Sequence, residues 1–243
     1  REFIDYTTSN ILTYGIDHQA DISAENINIS IHGTEFDLHV LNEVRHVKTN
    51  LIGKFNVYNS LAAVGAAYAA GADLDEIVDS LSKAKGVKGR FQLVPSDTGV
   101  SVIVDYAHTP DGLLNVLETL NDFAKQDTYC IVGCGGDRDA QKRPQMAKIA
   151  VEHSTHAILT EDNPRTEDPH KIMDDMLAGI DPDQATVIFN RREAIQYAVN
   201  HAKPGDAIII AGKGHEDYQI IGHTKHHFDD YEEAEKALNN REN

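Results

Sequence analysis

Cysteine is scarce in this 243-residue sequence, and its scarcity limits how the chain can be held together. The two cysteines, Cys130 and Cys134, lie too close together beside a short apolar run to suggest a disulfide framework. No apolar stretch is long enough to cross a bilayer, and no signal peptide is recognisable. The sequence therefore predicts a globular protein of the cytoplasm, without membrane insertion, whose 41% hydrophobic residues build its cores.

Basic residues are also in deficit. Lysine and arginine number 22 against 39 acidic residues, which gives a formal net charge of -17. The acidic excess is spread over both halves of the chain, so no basic face is expected and nucleic acid is not a predicted partner. An anionic ligand would need arginines placed locally at its site.

Three common site motifs are missing as well. The sequence has no G-x-x-x-x-G-K-[ST] phosphate loop, and Lys213 in Gly-Lys-Gly resembles one only superficially. The glycine-rich turn that begins at Gly133 is not the G-x-G-x-x-G dinucleotide fingerprint. His215 and Glu216 lack the second histidine of H-E-x-x-H, and the tail histidines have no companion ligands, so no metal site is predicted.

Residues 11–50 contain short alternating, β-branched runs, which predict an antiparallel sheet with a hairpin turn at 32–35. Small residues from Asn56 onward favour a closely packed helix that ends at Gly71. Asp73 is positioned to cap a second, amphipathic helix. An α+β arrangement is therefore expected for this part of the chain.

The segment Gly86–Arg90 is glycine-rich and basic, which is typical of a linker between domains. We expect a boundary near residue 89, with domains at 1–89 and 90–243. The chain opens on Arg1, and its first ten residues predict no helix or strand. This start suggests a piece of a longer protein.

From Val100 onward, apolar strands alternate with amphipathic helices, which indicates a mostly parallel, Rossmann-like α/β sheet covered on both faces. The predicted strands are SVIVDY, TYCIVG, HAILT, TVIF and DAIIIA, and the predicted helices start at Asp111 and cover Met146–Val151, Ile172–Leu177 and Ala194–Ala202. The tail from Tyr218 predicts a short hairpin and a last polar helix.

Unusual polar stretches follow these strands: DYAHTPDG, GCGGDRD, TEDNPRTEDP, NRRE and AGKGHEDYQ. In open α/β sheets, ligands bind beyond the carboxyl ends of the strands, so Arg138, Asn163, Arg165 and Glu216 are expected to converge. Two guanidinium groups suit carboxylates, and nearby carboxylates suit ammonium groups. A zwitterionic amino acid would fit such a site.

Each stretch also has a simpler interpretation. Asp162 and Asn163 before Pro164 are typical of a turn or helix start, and His108 is equally compatible with an ordinary loop histidine. The three glycines that begin at Gly133 would let the backbone turn sharply and expose its N–H groups, but a strand-to-helix connection needs no more than that.

Taken together and in order, GKFNVYNSLAA, GR at 89–90, DYAHTPDGLLNVL, GCGGDRDAQKRPQM, TEDNPRTEDP and AGKGHEDYQ resemble the Mur ligase family of peptidoglycan synthesis. Members of that family have a UDP-binding domain, a central ATPase domain and a Rossmann-like C-terminal domain. The resemblance implies that this chain is the end of the second domain and all of the third.

The resemblance also implies a reaction. The branch with the most similar motifs joins UDP-MurNAc-L-Ala-D-Glu to the amine of a diamino acid, using ATP and Mg²⁺ and passing through an acyl phosphate. The phosphate loop, the magnesium ligands and the modified lysine of the family have no counterpart here. ATP and Mg²⁺ would thus be bound mainly by an upstream part, and this chain alone is predicted to be inactive.

Site residues are implied by the same motifs, although no catalytic residue is assigned. The predicted amino-acid pocket comprises Arg138, Asp162, Asn163, Pro164, Arg165, Gly212 and Glu216. The predicted ATP contacts are Asn56, Arg90, Asp105 and His108, with the Asp105 carboxylate accepting hydrogen bonds from a ribose. An arginine at position 165 favours meso-diaminopimelate over lysine, because it would pair with the second carboxylate.

Four alternatives stay open. A dinucleotide-binding redox domain is disfavoured by the glycine pattern. A noncatalytic amino-acid-binding module is what the chain would be by itself. Within ligases, a lysine-adding member and a folylpolyglutamate-synthetase-like enzyme are the remaining candidates.

Overall fold

The computed structural model describes residues 7–241 and divides the chain into two compact units, Arg1–Lys85 and Gly86–Asn243. The break lies close to the predicted boundary near residue 89. The prediction that the first ten residues form no element concerns residues 1–6 as well, and these lie outside the described residues. Within the described part of the chain, no helix is long and apolar enough to cross a membrane.

The first unit is a four-stranded sheet covered by two helices. Its elements are β1 (Tyr14–Gly15), β2 (Ile22–Ser30), β3 (Gly33–Val40), β4 (Glu43–Thr49), α1 (Lys54–Ala69) and α2 (Leu74–Ser82). Strands β2, β3 and β4 pair antiparallel as predicted, whereas the short β1 runs parallel to β2. The sheet's apolar face packs on the helices through Phe36, Leu38 and Leu61, which are all fully buried.

The hairpin turn of this unit differs from its prediction. Ser30 pairs with Gly33, so the turn consists of residues 31–32 and not 32–35. Gly33 adopts φ +132°, and a side chain there would lie 2.1 Å from the carbonyl oxygen of Thr49. The glycine is therefore needed where β3 begins, and the residues after it already belong to the strand.

The helix ends of the first unit follow the sequence signals. Asp73 accepts hydrogen bonds from the amides of Asp75 at 2.9 Å and Glu76 at 3.3 Å, which confirms it as the cap of α2. Gly71 follows α1 with φ +88°, in the left-handed conformation that commonly ends helices. α1 starts two residues before the predicted Asn56.

The second unit is a six-stranded sheet with helices on both faces. Its sheet strands are β5 (Gln92–Val94), β6 (Ser101–Asp105), β7 (Thr128–Val132), β8 (His156–Leu159), β9 (Ala185–Val187) and β10 (Ala207–Ala211). Its helices are α3 (Pro110–Phe123), α4 (Lys142–His153), α5 (Pro169–Leu177), α6 (Arg191–His201) and α7 (Asp230–Asn239), and β11 (Tyr218–Ile221) and β12 (Thr224–His227) form a separate hairpin. The strand order is β5-β6-β10-β7-β8-β9, and only β5 runs antiparallel.

These pairings confirm the predicted Rossmann-like sheet, and the register lines up its strand ends. Ala211 at the end of β10 pairs with both Asp105 and Val132, and Val132 pairs with Leu159. The polar stretches that follow β6, β10, β7 and β8 therefore begin side by side at one edge. The antiparallel edge strand β5 was not predicted, because three residues are too short for a periodic signal.

Candidate functional site

Asn163 lies at the centre of the polar stretches that leave the sheet. It is 2% exposed. Its side-chain amide donates to Oε2 of Glu216 at 2.9 Å, and its Oδ1 accepts the backbone N–H of Ile220 at 2.9 Å. One buried amide thus joins the loop after β8 to the loop after β10 and to the hairpin strand β11.

Lys213 stands directly behind this junction and is completely buried. Its ammonium group contacts the carbonyl oxygen of Tyr218, Oδ1 of Asn163 at 3.3 Å and Oε2 of Glu216 at 3.4 Å. A buried charge needs a partner and hydrogen bonds, and these acceptors supply both. Lys213 is therefore an internal counter-ion, a role that its resemblance to a phosphate loop did not suggest.

Glu216 keeps part of its carboxylate accessible. Its side chain is 16% exposed, and Oε1 lies 3.5 Å from the hydroxyl of Tyr218, whereas Oε2 faces Asn163 and Lys213. The side chain was predicted to hold an ammonium group of a ligand. One oxygen already faces the Lys213 ammonium, so Oε1 is the atom left for a ligand.

Arg165 is held rigidly by its backbone and by one side-chain nitrogen. Its N–H donates to Ile220 at 3.0 Å, and its carbonyl accepts from Gly222 at 2.7 Å. Nη1 donates to the carbonyl of Gly136 at 2.8 Å and to that of Asn163 at 3.4 Å. Nε and Nη2 have no partner among the described residues, so a fixed guanidinium keeps two donor nitrogens for a ligand.

The glycine-rich turn after β7 owes its glycines to close packing. A Cβ at Gly133 would lie 2.4 Å from the carbonyl oxygen of Thr160, and one at Gly136 would lie 1.9 Å from that of Pro164. The N–H of Gly136 donates to the carbonyl of Asn163 at 2.9 Å. The backbone of the turn therefore packs directly against the loop after β8. The predicted exposure of its N–H groups is wrong for Gly136.

Arg138 lies further along the same turn and is exposed. Its Nη1 donates to the carbonyl of Asp137 at 2.9 Å, and it makes no hydrogen bond to the other predicted pocket residues. The turn beneath it is fixed by the buried Arg143, which donates to Glu167 at 2.9 Å and to the carbonyl of Gly135 at 3.2 Å. Arg138 therefore lies at the rim of the network, where its side chain is exposed.

Asp162 and Gly212 complete the junction. The carbonyl of Asp162 accepts from the side chain of Gln219 at 2.7 Å, and its Oδ1 accepts the N–H of Asn163 at 2.6 Å. Gly212 adopts φ +120°, and a Cβ there would lie 3.0 Å from Oδ2 of Asp162. The structure thus brings Asp162, Asn163, Pro164, Arg165, Gly212 and Glu216 into one connected group at the edge of the sheet.

The residues predicted to contact ATP are arranged differently. Asp105 is 5% exposed, and its two oxygens accept the N–H groups of Phe91 and Ala107 at 2.7 Å each. Burial raises the pKa of Asp105, while these hydrogen bonds act in the opposite direction. The carboxylate anchors the end of β6 to the start of β5, and its burial does not support the predicted ribose contact.

Arg90 and His108 meet around an aromatic ring that the sequence did not single out. The guanidinium carbon of Arg90 lies 4.8 Å from the ring centre of Tyr106. The rings of His108 and His215 lie 4.6 and 5.2 Å from the same ring. Nδ1 of His108 is 2.8 Å from the carbonyl oxygen of Tyr106, as in an ordinary loop histidine. The cluster nevertheless exposes both Arg90 and His108.

Asn56 belongs to the first unit and is half-buried there. Its side chain donates to the carbonyl of Ile52 at 2.8 Å and accepts from Asn59 at 3.3 Å.

Within residues 7–241, no three His, Cys, Asp or Glu side chains are grouped so as to hold a metal ion.

Comparison with known proteins places this geometry in a family. Residues 89–214 match the family described as "Mur ligase, glutamate ligase domain", and residues 1–67 match "Mur ligase middle domain". The chain is 64% identical over 238 residues to the UDP-N-acetylmuramoyl-L-alanyl-D-glutamate–2,6-diaminopimelate ligase of Lactiplantibacillus plantarum, covering 98% of this chain and 48% of that protein. The ligase of the same name from Listeria monocytogenes is 50% identical over 233 residues, covering 96% and 48%. The chain thus spans about half the length of these relatives.

Solved structures agree with this placement. A ligase of the same name superposes with a TM-score of 0.69 at 43% identity, over 94% of this chain and 47% of that chain. The folylpolyglutamate synthase of Thermotoga maritima has a TM-score of 0.61 at 21% identity, over 79% of this chain and 44% of that chain, and shares the fold alone. With one family description covering more than half of its length and a second covering most of its first unit, the chain belongs to the Mur ligase family.

Proposed function

We propose that this chain is the amino-acid-binding half of a ligase that adds meso-diaminopimelate to UDP-MurNAc-L-Ala-D-Glu in peptidoglycan synthesis. Relatives at 50% and 64% identity carry the name of that enzyme. The observation that carries the proposal is the guanidinium of Arg165, which two backbone carbonyls fix through Nη1 and which keeps Nε and Nη2 for a ligand. A fixed fork of this kind suits the recognition of a carboxylate.

The amino acid follows from the charges of the pocket. Meso-diaminopimelate differs from lysine by a carboxylate on its far carbon. In the proposal, that carboxylate pairs with Arg165, while an ammonium group faces Oε1 of Glu216. Lysine would leave the guanidinium without a partner, so the site would reject lysine as well as attract diaminopimelate. Arg138 at the rim would reach the remaining carboxylate.

The nucleotide contacts of this half are proposed on Arg90, just before β5, on His108, just after β6, and on Asn56 in the first turn of α1. Arg90 and His108 would face the phosphates or sugar, and Asn56 would lie near the adenine. Bound ATP with Mg²⁺ supplies the phosphoryl group that activates the acceptor carboxylate, and an upstream part would hold most of both. The side chains of this half would orient the amine for its attack. Asp105 would act through the backbone it anchors.

The proposed domains are 1–89, the end of a central ATPase domain, and 90–243, the amino-acid-binding domain. In the proposal, a hinge at Gly86–Arg90 would let the enzyme bring ATP and the amino acid together. The residues between α2, which ends at Ser82, and β5, which begins at Gln92, form neither helix nor strand, so the proposed hinge lies outside the regular elements. The cytoplasm is the proposed location, because the nucleotide substrates are made there.

The proposal is tested by restoring the missing half. This chain is fused to the upstream part of the L. plantarum ligase, and ligation is measured with meso-diaminopimelate and with lysine. The fusion is expected to prefer meso-diaminopimelate. Arg165→Ala removes one charge-assisted contact worth roughly 2 to 4 kcal/mol, so kcat/KM should fall by about 30-fold to 1000-fold.

The matched control for this variant is Arg45→Ala. Arg45 is a surface arginine of the first unit that is paired with Asp75 and Glu43. Arg45→Ala should keep kcat/KM within about twofold of the wild-type fusion, because exposed ion pairs contribute little. A fusion that prefers lysine would refute the proposed substrate. An Arg165→Ala fusion that keeps its preference for diaminopimelate would refute the role of that arginine.

A further inference from the structure

The polar stretch NRRE at the start of α6 places a fully buried ion pair behind the pocket. Nε and Nη2 of Arg191 each donate to an oxygen of Asp230 at 2.8 Å, and both side chains are 0% exposed. Asp230 is the first residue of α7. A bidentate, water-excluded pair of this kind holds both groups in one orientation.

The same guanidinium reaches the ends of two sheet strands. Nη2 of Arg191 donates to the carbonyl of Ala211 at 2.9 Å, and Nη1 lies 3.5 Å from the carbonyl of Glu161. Ala211 directly precedes Gly212, and Glu161 directly precedes Asp162. Arg191 therefore ties together the two points from which the pocket loops leave the sheet.

The charge of Arg191 also interacts with carboxylates of the pocket itself. Burial by itself would lower the pKa of Arg191, yet Asp230, Asp162 and Glu216 together raise the pKa above its ordinary value. Two of these three carboxylates belong to the predicted pocket. The buried cation thus interacts with the groups proposed to meet the ligand, and not only with the helix that it anchors.

An ion pair is not needed merely to dock a helix. Removing two charges from water carries a desolvation cost, and apolar side chains of similar volume often stabilise such a contact as well. An apolar pair, however, has no donors for the carbonyl groups at the ends of β10 and β8. The feature that distinguishes this pair from simple packing is its connection to both strand ends.

We propose that Arg191, oriented by Asp230, is a positioning residue for the amino-acid pocket, which makes the pocket's geometry depend on the docked C-terminal helix α7. The inference rests on the proposed function for the identity of the ligand. The positioning itself concerns only the loops at 161–166 and 211–222. α7 lies outside the stretch 89–214 that matches the glutamate ligase domain.

The chain contains a matched control on the same two helices. Arg192 donates from Nε to Oε2 of Glu233 at 2.6 Å, so it also joins α6 to α7. Its side chain is 49% exposed, and among the described residues its hydrogen bonds go to Glu233 and not to a strand end. Arg192→Met therefore weakens the attachment of α7 without touching the pocket.

The test compares Arg191→Lys and Asp230→Asn with Arg192→Met in this chain. Hydrogen exchange of peptides covering 161–166 and 211–222 is measured by mass spectrometry, after urea denaturation has established the stability of each variant. Arg191→Lys keeps the charge but loses the fork, so it should not rescue the geometry. We expect Arg191→Lys and Asp230→Asn to increase the exchange rate of the two pocket peptides. At an equal loss of stability, this increase should be about tenfold larger than the increase caused by Arg192→Met.

Calorimetric titration with meso-diaminopimelate supplies the functional readout. Wild type and Arg192→Met should bind alike, whereas the two pair variants should bind about tenfold or more weakly, because small displacements of positioning groups have large effects. In the fused enzyme, the KM for the amino acid should rise while the KM for ATP stays constant.

The two hypotheses fail in different ways. Absence of binding by the wild-type chain would count against the proposed ligand, and the exchange data would still decide the role of Arg191. Pocket peptides that exchange alike in Arg191→Lys and Arg192→Met would overturn the inference, whatever the titration shows.

Discussion

Replacing Lys213 by methionine is the sharpest perturbation that the structure offers. The two side chains are unbranched and of similar volume, so Lys213→Met removes the charge without opening a large cavity. The change deletes the contacts of the ammonium group with Asn163, Glu216 and the carbonyl of Tyr218. Glu216 then keeps its negative charge in a site where its side chain is 16% exposed.

The expected cost can be worked from these contacts. Breaking a buried ion pair by removing one partner costs about 3–5 kcal/mol. The remaining exposure of Glu216 lowers that figure, while the unpaired carbonyl of Tyr218 adds roughly 1 kcal/mol. We expect Lys213→Met to reduce the free energy of unfolding of the second unit by about 3 kcal/mol. Glu216→Gln added to it should restore a large part, because the stranded charge is then gone.

Urea denaturation followed by circular dichroism measures this difference. With a slope of about 1–3 kcal/mol per molar urea, the midpoint should fall by about 1–3 M. Lys225→Met is the control, because within residues 7–241 its exposed ammonium group contacts only the Tyr218 ring, in a cation–π contact 4.0 Å from the ring centre. A shift of less than about 0.3 M for Lys213→Met, or a double variant no more stable than the single one, would refute the idea of an internal counter-ion.

Three further predictions concern the linker, the thiols and a glycine. Trypsin should cut after Lys85 and spare Lys88, whose ammonium is bound at 2.9 Å to a buried aspartate; a first cut after Lys88, identified by mass spectrometry, would contradict this. Burial raises the pKa of both cysteine thiols to about 12, so neither should react with a disulfide reagent in the native protein at pH 8. Their contribution to stability should be fully present below about pH 8.5, where unfolded thiols ionise, and should be lost as the pH rises toward 12 in denaturation experiments. Gly89→Ala should destabilise by more than about 2 kcal/mol in urea, because φ is +69° and its Cβ would meet backbone nitrogen at 2.0 Å, whereas Gly86→Ala, with open space around it, should change stability by less than about 0.5 kcal/mol.

Local patterns in the sequence determined the class of the fold and predicted where the candidate site lies. Alternating apolar strands and amphipathic helices predicted the parallel sheet, because side-chain periodicity depends only on neighbours along the chain. Asp73 was recognised as a cap for the same reason. The rule that ligands bind at strand ends then predicted, from the sequence alone, that Asn163, Arg165 and Glu216 lie close together.

Tertiary structure alone decided which charges are buried and what they hold. Strand β10 enters between β6 and β7, so Lys213 comes to lie beside Asn163, 50 residues earlier in the chain. The buried carboxylate of Asp105 accepts hydrogen bonds from backbone amides, and Arg191 pairs with Asp230, which lies 39 residues later in the last helix. A charged residue has the same local pattern whether it faces solvent or a buried counter-ion. Its burial depends on contacts between distant segments, and only the folded chain brings these segments together.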